Sequence, residues 1–291
     1  IVVPFAAGGA QDAIARLVGA KLSPRIGTPV IIDNKGGAGG VIAADGVAKA
    51  SPDGTSLLMA TGGAITIIPH LNKALPYDPL KDLVPVALLA DTPMTLAVRA
   101  DSPYKTVSDL IADAKARPGA VTYASTGNGT VSNLTGELLA LNAGVQLLHV
   151  PYRGAGPAIT DLLSGQVAAM VTSVASIEPM VASGKARVLA TFTSAPVAAV
   201  KAPTLREATG IAGLEVPVWV AVMAPAKTPP ATLKSLGEAL LAICAEPEAR
   251  ERIEKFGAMT SCGDAAAADK VIRDDFERWR AVIATGKIRT D

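Results

Sequence analysis

The sequence predicts an α/β protein built as two doubly wound domains, and three observations carry that prediction. Short apolar runs alternate with glycine-rich loops and amphipathic helical stretches, the pattern of repeated strand–loop–helix units. The chain of 291 residues exceeds the length at which one core usually keeps growing, so two domains are the natural division. Hydrophobic residues make up 49% and charged residues 18%, enough apolar material for sizeable cores and too little charge for a disordered chain.

Along the chain, Ile1-Val2-Val3-Pro4-Phe5 reads as a buried strand, residues 6–10 as a small-residue turn, and residues 12–22 as a helix with Ile14, Leu17, Val18 and Leu22 on one face. The unit recurs. Val30-Ile31-Ile32 reads as a strand leading into Gly36-Gly37-Ala38-Gly39-Gly40 and a helix through Val47, and Ser56-Leu57-Leu58-Met59 leads into Thr61-Gly62-Gly63. Such repeats predict a parallel sheet. After Leu96-Ala97-Val98, Thr106-Val107-Ser108-Asp109 opens a helix like a capping box, and Pro118-Gly119 ends it.

A second series follows. Val121-Thr122-Tyr123 feeds the loop 124–129 and a helix over 131–141; Leu147-Leu148-His149-Val150 feeds Gly154-Ala155-Gly156 and a helix to Leu163. Further strands are expected over 167–171, 188–190 and 218–223. From Pro229 the pattern is helical, over 233–244, over 247–256 and in a long segment whose Val271, Ile272, Phe276, Trp279 and Ile283 share one face. Helical spacing accounts for Trp279 as core.

The composition excludes several functions. Twenty-seven basic against 26 acidic residues give a net charge of +1, which builds no field for nucleic acid. At 3% aromatic content there are no stacking platforms for bases or sugars, so a ligand is to be read by polar groups. The apolar stretches at 84–98 and 216–226 are interrupted or too short to cross a bilayer. His70 and His149 are the sole histidines, and no cluster has metal-ligand spacing, so neither metal nor cofactor is expected. Gly-x-Ser-x-Gly and a Walker loop are absent, and Gly127-Asn128-Gly129-Thr130-Val131-Ser132 puts Ser where a dinucleotide fingerprint needs its third Gly. Cys244 and Cys262 alone leave two readings open, independent buried thiols or one bridge.

What the glycine loops do offer is backbone N–H groups at the positive ends of helices, which suits a carboxylate. The loop 127–132, Ala7-Gly8-Gly9 and Gly154-Ala155-Gly156 all have this form, although any one of them is also explained by a tight turn.

Several ordered motifs then resemble one family, the solute-binding receptors of tripartite tricarboxylate transporters, also called Bug-type receptors. They are Val3-Pro4-Phe5-Ala6-Ala7-Gly8-Gly9 with Asp12, Asp33-Asn34-Lys35-Gly36-Gly37-Ala38-Gly39-Gly40, and Ser51-Pro52-Asp53-Gly54. Ser125-Thr126-Gly127-Asn128-Gly129-Thr130, His149-Val150-Pro151-Tyr152-Arg153-Gly154, Asp161-Leu162-Leu163-Ser164-Gly165-Gln166-Val167 and Ala202-Pro203-Thr204-Leu205-Arg206-Glu207-Ala208 follow in the family's order.

The resemblance implies a type II periplasmic-binding-protein fold, two α/β lobes joined by two crossing strands. The crossings are expected near Val98 and Val218, with residues 1–98 and 218–291 in one lobe and 99–217 in the other. It implies that the cleft between them takes a small carboxylate for delivery to the large and small membrane subunits, with closure on binding. The implied ligand set is Phe5, Ala7, Gly9, Ala10, Gln11, Asp12, Thr61, Gly62, Gly63, Ser125, Thr126, Gly127, Gly129, Thr130, Tyr152, Thr172 and Ser173. For Asp12 ordinary helix-dipole complementarity stands beside a ligand role, and Tyr152 either donates into the cleft or fills a lobe wall. This chain departs from the family at Ala7, where Pro is common, and at Thr172-Ser173-Val174-Ala175, where an acidic residue is common. The resemblance also implies export to the periplasm, a leader preceding the residues given, a monomer, and a Cys244–Cys262 disulfide. A ligand sensor, or a small-carboxylate enzyme on the same scaffold, are the alternatives.

Overall fold

In the computed structural model, residues 1–216 and 218–285 are described. The strands in chain order are β1 (Val2–Val3), β2 (Asp33–Asn34), β3 (Leu58–Ala60), β4 (Leu83–Asp91), β5 (Met94–Arg99), β6 (Thr122–Ser125), β7 (Leu148–Pro151), β8 (Ala169–Ser173), β9 (Ala186–Thr191), β10 (Trp219–Pro225) and β11 (Met259–Gly263). They form two sheets, ordered β11-β4-β10-β3-β1-β2 and β7-β6-β8-β5-β9. The helices are α1 (Ala10–Ile26), α2 (Val41–Ala48), α3 (Ile68–Leu71), α4 (Val107–Ala116), α5 (Val131–Ala143), α6 (Ala155–Ser164), α7 (Val174–Ala182), α8 (Leu205–Thr209), α9 (Pro230–Ala245), α10 (Pro247–Lys255) and α11 (Ala265–Ala284). This is the type II periplasmic-binding-protein architecture.

The sheets are mixed, not wholly parallel. The repeated units supply the parallel pairs, β1 with β2 and β3, and β6 with β7 and β8. The strands that carry the chain between sheets run the other way: β10 is antiparallel to β3 and β4, and β5 to β8 and β9. Residues 94–98, expected in the first lobe, therefore pair in the second sheet, and the first crossing lies at Thr92-Pro93. The second crossing includes Val218. The two are tied, since the Thr92 N–H donates to the Val218 carbonyl at 2.7 Å.

Val30-Ile31-Ile32 is not a buried strand. Pairing starts at Asp33 opposite Val2, and Ile31 is 75% exposed. Alternation explains the difference: Val30 and Ile32 turn onto α1, where a Cβ on Gly19 would come within 3.2 and 3.0 Å of them, and Ile31 faces water.

Each sheet has its own cores. Helix α11 belongs to both, because Ile272 packs with Trp219 and Met223 of β10 while Trp279, fully buried, packs with Leu96 and Leu134 of the other half. Its Asp275 is buried between them and accepts from Thr66 Oγ1 at 2.6 Å and Trp219 Nε1 at 3.0 Å. Local signals hold at the helix starts: Thr106 and Asp109 form the reciprocal cap of α4. Cys244 at the end of α9 and Cys262 in β11 are joined by a disulfide, their Cα atoms 5.5 Å apart.

Candidate functional site

The loops that leave the carboxyl ends of β1, β3, β6 and β8 face one another, as ligand-binding loops do in open α/β sheets. They enclose a cavity of about 30 Å³ between the sheets. Its walls bring together Phe5, Gln11, Thr61, Thr126, Thr130, Thr172 and Ser173 from the expected set, with Thr92, Met94, Val131, Ser132, Ser176 and Val218 in addition. Sequence reading missed the added residues because Thr92, Met94 and Val218 lie in or beside the crossings, and Val131, Ser132 and Ser176 lie in first turns of helices whose shared setting is set by tertiary structure.

Three helices begin at this cavity. Gln11 lies in the first turn of α1; Thr130, Val131 and Ser132 are the cap and first residues of α5; Ser173 stands at the N-cap position of α7, and Ser176 completes its first turn. The first N–H groups of a helix have no acceptor within it, and each helix start carries roughly half a positive elementary charge. No charged side chain is among the described lining residues. Such a site attracts an anion through neutral dipoles and hydroxyls.

Glycines let the two halves meet. A Cβ on Gly36 would lie 2.9 Å from the Arg153 carbonyl, one on Gly39 2.5 Å from the Asn128 carbonyl, and one on Gly156 2.9 Å from the Ala7 carbonyl. Hydrogen bonds cross the gap, Ala6 N–H to the Arg153 carbonyl at 2.9 Å and Ala10 N–H to Ser176 Oγ at 3.2 Å. Gly9, Gly62, Gly63 and Gly129 are buried at the same closure, while Ala7 is exposed. A groove of about 330 Å³ at the rim, lined by residues including Gly127, Asn128, Tyr152 and Gly37, continues the cleft outward.

A buried network holds the 125–130 loop. Asn133 Oδ1 accepts from Gly129 N–H at 3.0 Å, which turns its amide nitrogen to Tyr123 Oη at 3.1 Å and His149 Nδ1 at 3.3 Å. His149 Nδ1 is thereby the acceptor, and Nε2–H donates to Ser125 Oγ at 2.6 Å. Ser125 Oγ in turn accepts from Gly127 N–H at 3.1 Å. Burial lowers the His149 pKa from 6.5 to about 4, so the ring is neutral at neutral pH.

Two expected ligand residues are otherwise engaged. Burial pushes the Asp12 carboxyl up, but bonds from Arg16, Gly8 N–H and Asn34 together hold its pKa below the ordinary value. It braces the first loop and does not line the cavity. The Tyr152 hydroxyl donates to Asp161 at 2.6 Å, and burial followed by that carboxylate raises its pKa to about 12. Tyr152 reaches the rim groove as a wall.

A larger cavity, about 770 Å³, lies elsewhere. Thr92 and Met94 line the cleft, whereas the alternate residues Asp91 and Pro93 line this cavity, which places it on the opposite face of the crossing. Asp91, Glu215 and Glu254 border it without a basic side chain among the described lining residues, a poor setting for an anion.

The family model for the tripartite tricarboxylate transporter family receptor matches residues 14–287. The chain belongs to this receptor family. The receptor is 37% identical over 291 residues to the UPF0065 protein of the tcbD–tcbE intergenic region of Pseudomonas sp. strain P51, covering 100% of this chain and 86% of that protein. It superposes on the periplasmic binding protein BugD with a TM-score of 0.94 at 34% identity, covering 100% of this chain and 97% of that one. On MatC from Rhodopseudomonas palustris, solved with bound malate, the TM-score is 0.92 at 32% identity, with 97% of each chain covered. The receptor is thus an extracytoplasmic, periplasmic solute-binding protein of a membrane transporter and not a catalytic enzyme. Among its described residues no group of three or more His, Cys, Asp or Glu is placed to hold a metal ion, and no helix is long and apolar enough to cross a membrane.

Proposed function

We propose that this receptor captures a small carboxylate in the cavity between its sheets and hands it to the membrane subunits of its transporter. The observation that carries the reading is the convergence of the α1, α5 and α7 starts on a cavity whose described walls are neutral. The carboxylate is held by first-turn N–H groups and by the hydroxyl of Thr126, with Phe5 and Met94 against the carbon chain. Neutral dipoles stabilise the anion without the deep trapping of a buried cation, which suits a carrier that must release its cargo. The malate held by MatC supports an acid of this size.

The two sheets act as lobes, divided at Thr92-Pro93 and at the crossing that contains Val218. A cavity of about 30 Å³ has room for about one water, so a small acid enters when the lobes part and is buried when they meet. A thermal-shift screen of mono- and dicarboxylic acids tests the reading. An acid at a hundred times its dissociation constant adds about 2.7 kcal/mol of stability. Neutral sugars and amines are expected to leave the melting temperature unchanged; stabilisation by those and by none of the acids contradicts the proposal.

A further inference from the structure

Thr172 is 1% exposed, lines the cavity at the end of β8, and its Oγ1 is buried with no hydrogen-bond partner. The hydroxyls around it are occupied: Thr92 Oγ1 donates to the Val218 carbonyl at 3.3 Å, Thr95 Oγ1 to the Thr172 carbonyl at 3.0 Å, and Ser132 Oγ to the Val171 carbonyl at 2.5 Å. A buried hydroxyl left unpaired costs free energy, and the cavity is the direction from which a partner can come.

A second donor stands beside it. Ser173 Oγ and Ser176 Oγ are 2.9 Å apart, and Ser176 Oγ already accepts from Ala10 N–H. One hydroxyl proton fills the Ser173–Ser176 contact, so the other is left to donate. Both serines belong to the first turn of α7, a nine-residue helix whose positive end faces the cavity. This station is separate from the α5 start, where Thr130 Oγ1 serves as the cap and donates to the Gly127 carbonyl at 2.7 Å.

We propose that Thr172, with Ser173 beside it, selects acids that carry a second hydrogen-bond acceptor at the end away from the first carboxylate. An acid with a second carboxylate satisfies the Thr172 hydroxyl and the α7 start, whereas an acid ending in a methyl group buries that hydroxyl unpaired. The inference rests on the carboxylate reading of the cleft and adds which acids the cleft prefers.

The test is calorimetric titration of succinate against butyrate and of adipate against hexanoate, with wild type, Thr172→Val and Thr172→Ser. In at least one pair the dicarboxylate binds wild type tenfold or more tightly than its monocarboxylate. Thr172→Val, the same shape without the hydroxyl, weakens that dicarboxylate about tenfold and leaves the monocarboxylate within threefold; Thr172→Ser restores the preference. Because the hydroxyl has no partner within the protein, Thr172→Val without ligand melts at or above the wild-type temperature. Equal changes for both acids of a pair, or an unchanged preference in Thr172→Val, overturn the assignment while the cleft reading stands. Binding of neither acid in either pair, with neutral solutes binding instead, removes the cleft reading and the inference with it.

Discussion

At the scale of single residues, the binding loop depends on side chains that never reach the cavity. His149 and Asn133 hold Ser125, Gly127 and Gly129 in place. The folded-state pKa of His149, about 4, lies below its ordinary 6.5, so the unfolded chain binds the proton more readily. Its contribution to stability is complete above pH 6.5 and is lost as the pH falls towards 4. Urea unfolding at pH 7 and pH 5 should therefore show a larger drop in wild type than in His149→Gln; equal drops would mean that the ring is not buried neutral. Part of this scale was legible in the sequence. The helix expected over 131–141 begins at Val131, and Thr130 caps it. For Asp12 and Tyr152 the sequence left two readings open because their partners are set by tertiary structure: Asn34 reaches Asp12 only when β2 pairs beside β1, and Asp161 reaches Tyr152 across the start of α6.

At the scale of elements, strand–loop–helix units were readable because apolar runs and glycines lie together in the chain, and β1, β3, β6 and β8 appear where those runs are. The crossings were less so. Residues 84–98 form one apolar stretch covering β4, the passage at Thr92-Pro93 and β5, and periodicity cannot show where such a run changes sheets. The glycines gained a role that local turn chemistry does not supply, close approach between lobes. Gly9 has an extended backbone, with φ −94°, that any residue adopts, and its missing Cβ would sit 3.6 Å from Ala155 Cβ. Gly9→Val therefore places branched methyls in the lobe contact without straining the chain. It should weaken acid binding by about tenfold, roughly 1.4 kcal/mol, with little change in the melting temperature of the ligand-free protein. A calorimetric titration giving wild-type affinity would show that this contact is not part of closure.

At the scale of the whole molecule, the two cavities lie on opposite faces of one crossing, so in the proposed hinge motion closing the cleft opens the space behind it. Ala198 is exposed and lines the rear cavity of about 770 Å³. Ala198→Trp fills that space in the closed form and should tighten acid binding several-fold by raising the closed population, whereas weaker binding would place the rear cavity outside the motion. Helix α11, with Ile272 in one core and Trp279 in the other, spans the two halves. In the proposed function a small carboxylate is captured between lobes that close on it. Small-angle scattering of the purified receptor, with and without an acid shown by calorimetry to saturate it, tests this most directly. A smaller radius of gyration is expected with the acid bound, and an unchanged radius at verified saturation would contradict closure.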